Sequence, residues 1–135
     1  VGQGQDTAKS RNDRGVLYAK YGMYTEAERE LKAAAKDGSA SALVNLGNIA
    51  FMKSDLAGAY SYYLQADKKS PNNAKLLINV ARAASAMGKA DEAAQALDKA
   101  KALDPAQAER FASAAQASPS AGRAAEVDAS DILWQ

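Results

Sequence analysis

Apolar positions recur along the chain at helical spacing, in stretches that stop at Gly22, Ser54 and Gly88, and each stop is followed five residues later by a small side chain: Ala27, Ala59 or Ala93. Four residues on comes a large apolar residue (Leu31, Tyr63, Leu97), and three further on another alanine (Ala34, Ala66, Ala100). Steps of four and three place these residues on one face of a helix. The stops are 32 and then 34 residues apart, counted from 22 to 54 to 88, so the pattern is an internal repeat. Pro71 and Pro105 close the second and third units, and Ser39 takes that place in the first. Upstream of each stop lies another apolar-periodic stretch, carrying Gly15 and Tyr18, then Leu46 and Gly47, then Val80 and Ala81. Each unit reads as a helix, a tight turn and a second helix. The small residues at Gly15, Gly47 and Ala81, and at Ala27, Ala59 and Ala93, predict close helix approach, where a bulkier side chain overpacks.

Helix boundaries follow from capping chemistry. Thr25 with Glu28 has the spacing of a capping box, Ser39 and Asn73 read as N-caps, and Gly38 as a C-terminal stop. Asp104, Pro105 and Gln107 predict the start of a seventh helix running to about Ala117, with Phe111 covering the last unit. A helical array needs such an end, because its last unit otherwise shows an apolar face to water. Beyond it, residues 118–123 (Ser118, Pro119, Ser120, Ala121, Gly122, Arg123) read as a linker. The final stretch mixes acids with the only Trp, ending Asp131, Ile132, Leu133, Trp134, Gln135.

These positions resemble the tetratricopeptide repeat. The first copy carries Gly15, Tyr18, Gly22, Tyr24, Ala27 and Ala34, and the second Leu43, Leu46, Gly47, Ala59, Tyr63, Ala66 and Pro71. The third keeps Leu77, Gly88, Ala93, Leu97, Ala100 and Pro105, but has Ala81, Ala84 and Ala90 where the family favours Gly and aromatic residues. The resemblance implies an all-α, right-handed solenoid. Its expected parts are a lead-in at 1–7, repeats at 8–39, 40–73 and 74–105, a capping helix at 105–117, and a linker and tail at 118–135.

Composition then removes most chemistry. Of 135 residues none is Cys or His, so the chain has no thiolate nucleophile, imidazole base or usual zinc ligand set. No cofactor and no metal are expected. Glu26, Glu28, Glu30, Asp91 and Glu92 sit where second helices begin, as carboxylates favouring the helix dipole, with Glu28 expected to pair with Lys32. Tyr60, Tyr62 and Tyr63 read as packing, with Tyr63 inward, and no Gly-rich phosphate loop is present. Seventeen basic against 16 acidic residues leave a net charge of +1, so nothing global draws in a nucleic acid or an anionic membrane. No apolar run reaches 18 residues. A start at Val1 fits an excised domain or processed product, and the Ala-rich, Cys-free style leans toward a bacterial envelope while remaining compatible with a cytoplasm.

The resemblance also implies where a ligand sits, because the first helix of each repeat lines the concave face. The stripes there are Lys9, Asp13, Val16 and Lys20, then Ser41, Asn45, Asn48 and Met52, then Lys75, Asn79, Arg82 and Ala86, with Asn12, Val44, Phe51 and Ile78 beside them. Amides both donate and accept, which suits the main chain of an extended peptide; the simpler reading is a solvated polar surface. Relatives that clamp a partner's C-terminal carboxylate use two Lys, two Asn and an Arg. Here only Asn45 and Lys75 match, while Asn12, Val16 and Asn79 stand at the other places, so that clamp is not expected. The tail, through Asp131, Ile132, Leu133 and Trp134, complements a groove holding Lys9, Lys20, Lys75 and Arg82. It is expected to dock in this groove or in that of another copy; an extra helix on the outer surface, or the stub of a further domain, are the other readings. The function expected is a non-enzymatic scaffold binding a protein or peptide segment, or else a self-assembly module or the interaction domain of a larger bacterial envelope protein.

Overall fold

The computed structural model describes residues 7–117 and 133–135, and it is all-helical among them apart from turns and the last three residues. The seven helices are α1 (Ala8–Lys20), α2 (Tyr24–Lys36), α3 (Ala40–Met52), α4 (Leu56–Lys69), α5 (Ala74–Ala86), α6 (Ala90–Leu103) and α7 (Pro105–Ala117). They pack most extensively as three pairs, α1 on α2, α3 on α4 and α5 on α6, and each pair leans on the next through α2 with α3 and α4 with α5. The result is a helical-repeat solenoid whose last pair is covered by α7, which touches both α6 and α5.

The turns inside the three pairs and the turn after the first pair share one chemistry. After α1 the Gly22 amide donates to the Ala19 carbonyl and the Met23 amide to the Tyr18 carbonyl, a Schellman closure. The same two bonds recur after α2 at Gly38 and Ser39, after α3 at Ser54 and Asp55, and after α5 at Gly88 and Lys89. Closure requires a left-handed residue, and φ is +77° at Gly22, +97° at Gly38, +78° at Gly88 and +64° at Ser54. Of these four, only Ser54 meets the requirement with a side chain.

The N-caps agree with expectation at Ser39, Asn73 and Asp104, whose side chains accept from the amides of Ala42, Leu76 and Gln107. Thr25 is a correction. α2 begins at Tyr24 after Met23, with no side-chain cap, so Thr25 lies inside the helix. The reason is the Schellman closure, which makes Met23 both the end of one motif and the start of the next helix. A capping box does form elsewhere, between Thr7 and Ser10 at the start of α1. Glu28 forms an ion pair with Lys53, at 3.4 Å, across to the turn after α3.

Inside the pairs the small residues are contact points. A Cβ built on Gly15 would stand 2.6 Å from Leu31, and one on Gly47 2.5 Å from the Tyr63 ring. Leu31, Tyr63, Ala27 and Ala59 are fully buried. In the third pair Ala81 brings its own Cβ to this place, and Ala93 and Leu97 are only half-buried. The third pair nonetheless packs as extensively as the other two, and only α7 lies beyond its second helix.

α3 is the centre of the molecule, buried without interruption from Ala42 to Phe51. Tyr63, Phe51 and Leu76 belong to one core cluster and Leu31, Ile49 and Ala34 to another, with Ala35, Tyr62 and Trp134 packed against both.

Candidate functional site

Four asparagines are buried: Asn12 from α1, Asn45 and Asn48 from α3, and Asn79 from α5. Exposures of 4%, 0%, 0% and 1% matter because a buried amide left without partners costs about 1–3 kcal/mol. Among the described residues no buried side-chain nitrogen or oxygen lacks a partner.

The amides satisfy one another in part. Asn45 Nδ2 donates to Asn12 Oδ1 at 2.7 Å, and Asn48 Oδ1 accepts from both Asn79 Nδ2 at 3.1 Å and the Tyr63 hydroxyl at 2.5 Å. Burial pushes the Tyr63 hydroxyl far above its ordinary pKa, against a smaller downward pull from the Arg82 charge, so it stays a neutral donor.

The remaining capacity goes to Leu133 and Gln135, which lie in neither helix nor strand. The Leu133 carbonyl accepts from Asn48 Nδ2 at 3.1 Å and from Asn79 Nδ2 at 3.2 Å. The Gln135 amide donates to Asn45 Oδ1 at 2.8 Å, and its main-chain oxygen accepts from Asn12 Nδ2 at 3.3 Å. The Gln135 side chain pairs reciprocally with Asn73 at the start of α5: Asn73 Nδ2 donates to Oε1 at 2.7 Å and Gln135 Nε2 donates to Asn73 Oδ1 at 3.3 Å. Leu133 packs on the core cluster of α3 to α7, and Trp134 touches both clusters. Asp131 and Ile132 lie outside the described residues.

Not every expected groove residue lines this floor. Asp13 stands at the stripe position that corresponds to Asn45 and Asn79, yet it is exposed and pairs with Lys9 at 2.9 Å; Asn12, one residue earlier, supplies the amide. Val44, Phe51 and Ile78 are enclosed in the core and offer no open apolar spots. Val16 and Met52 are half-buried, Lys20 and Lys75 exposed, and Arg82 stacks over the Phe111 ring of α7 at 5.4 Å. Two contributors were not read as site residues from the sequence: Asn73, which looked like a cap alone, and Gln135. Neither carried a repeating signal, since Asn73 stands where Thr7 and Ser39 cap α1 and α3.

Past Gln135 the surface opens into a depression of about 410 Å³, lined among others by Lys9, Asp13, Asp37, Ser39 and Ser41. The described residues contain no His, Cys, Asp and Glu cluster that could hold a metal ion, and no helix long and apolar enough to cross a membrane.

A family model for the tetratricopeptide repeat matches residues 50–119, just over half of the chain. The chain belongs to the tetratricopeptide-repeat family. The match begins at the end of α3, and the α1–α2 pair before it repeats the same device, with Gly15 under Leu31 as Gly47 is under Tyr63. No curated protein matches the chain. Tetratricopeptide repeats are typically non-catalytic protein–protein interaction modules, and family membership suggests that class of function for this chain.

Proposed function

We propose that this tetratricopeptide-repeat protein is a non-enzymatic scaffold that holds an extended peptide segment across α1, α3 and α5. The observation that carries the reading is the set of four hydrogen bonds between Asn12, Asn45, Asn48 and Asn79 and main-chain atoms of Leu133 and Gln135, with Asn45 accepting and the other three donating. Side-chain amides that bond main-chain atoms hold a peptide whatever its side chains, and they spare an otherwise buried polar floor its desolvation cost. A labelled peptide of residues 124–135, titrated into the 135-residue chain carrying Trp134→Ala to weaken the resident tail, is expected to bind saturably, one to one. Asn45→Leu, which removes both the Asn12 and the Gln135 partner, is expected to weaken it at least tenfold. Absence of saturable binding refutes the reading.

The second reading is self-assembly, favoured by the occupant being a segment of this same chain. Sedimentation of the intact protein separates the two. A concentration-dependent dimer that Trp134→Ala dissociates supports assembly through the tail, and a monomer at all concentrations supports the scaffold.

A further inference from the structure

The four main-chain bonds grip any extended segment, but the Gln135 side chain makes a different kind of contact. Its amide and that of Asn73 face each other head to head, each donating once and accepting once. A glutamate in that place keeps the bond from Asn73 Nδ2 but turns its second oxygen on Asn73 Oδ1, acceptor against acceptor. An alanine leaves both Asn73 groups without this partner. Asn73 is itself fixed, because its Oδ1 also caps the Leu76 amide at 3.1 Å. An amide held by its own helix cannot rotate to suit a different side chain without giving up the cap. The preceding position is equally particular: Trp134 packs against both core clusters.

From this geometry we propose that Asn73 is a specificity-determining residue of the groove. It reads a glutamine side chain, so the site selects an extended run of apolar residue, Trp and Gln, and its occupant is this chain's own Leu133–Gln135. The proposal rests on the peptide-groove reading above and adds a sequence requirement to it. Main-chain bonding supplies the grip, while the amide pair and the aromatic seat supply the choice.

The test uses the 135-residue chain carrying Trp134→Ala, with Asn73 intact or replaced by Ser. Serine retains the N-cap and removes the amide. Three amidated peptides of residues 124–135 are titrated by fluorescence anisotropy, with Gln, Ala or Glu at the last place. The Gln peptide is expected to bind the Asn73 chain about tenfold more tightly than the Ala peptide, the worth of two amide hydrogen bonds. The Glu peptide is expected to fall below Gln, and the Asn73→Ser chain to shrink the Gln-to-Ala ratio to less than about twofold. Equal binding of the Gln and Ala peptides, or a preference that survives Asn73→Ser, overturns the role of Asn73 and leaves the groove standing. Glu binding better than Gln overturns it in favour of the groove cations. If no peptide binds saturably, the groove reading itself falls.

Discussion

Gly47→Ala is the sharpest test of how the helix pairs are shut. The new Cβ would stand 2.5 Å from Tyr63 Cε1, 2.7 Å from Cδ1 and 3.1 Å from Cζ, so the ring must move. The ring is fully buried, and its hydroxyl is tied to Asn48 Oδ1 at 2.5 Å. Swinging aside strains the core, at about 1–3 kcal/mol for overpacking, and stretches a hydrogen bond with a net worth of about 1 kcal/mol. Alanine returns about 1 kcal/mol through its better helix propensity. The balance is a loss of about 1–3 kcal/mol, measured as a lower urea midpoint at unchanged slope in circular dichroism. A leucine in place of the ring would not relieve the contact, since a Cβ on Gly15 would stand 2.6 Å from Leu31 in the first pair. In a Tyr63→Ala background, where the side chain in the way is gone, the same Gly47→Ala change is expected to be neutral or stabilising. The steric reasoning is refuted if Gly47→Ala leaves the midpoint unchanged, or if it costs as much in the Tyr63→Ala background as in the chain that keeps Tyr63.

Ser54→Gly, at the one Schellman turn closed by a side-chain-bearing residue, is expected to stabilise by about 1 kcal/mol, because φ of +64° strains serine and not glycine; thermal unfolding reads it. Gly88→Ala, at φ +78° with open space around its Cα, is expected to destabilise by a similar amount through backbone strain alone. The Tyr63 hydroxyl has its pKa raised by burial, so above about pH 10 the unfolded chain releases a proton that the folded chain keeps. That contribution to stability is whole below about pH 10 and falls by up to about 1.4 kcal/mol per pH unit above it. Tyr63→Phe should flatten this slope in urea titrations between about pH 9 and 11, and an unchanged slope would contradict the burial argument. Asp104→Ala should remove the cap on Gln107 and speed amide exchange in α7 while leaving α3 protected.

The spacing of small residues determines a great deal by itself. Gly15, Gly47 and Ala81, each 16 residues before Leu31, Tyr63 and Leu97, state which helices pair and at what register, because both members of each contact lie within one short unit. Gly22, Gly38 and Gly88 mark turns for the same local reason, since a left-handed closure needs only its own few residues. Local reading fails where a neighbouring motif takes priority. Thr25 and Glu28 have the right spacing for a box, yet the Schellman closure at Gly22 had already set the start of α2.

The floor of the groove lies beyond local reading altogether. That Asn12 and not Asp13 turns inward, that Asn48 shares its oxygen between Tyr63 and Asn79, and that Asn73 faces Gln135 across 62 residues depend on how successive pairs rotate against one another. Sequence alone sets the period and the pairing, because those contacts are near in the chain. Tertiary structure decides which amides are buried and what they hold, because every partner but the Tyr63 hydroxyl comes from a different repeat or from the tail.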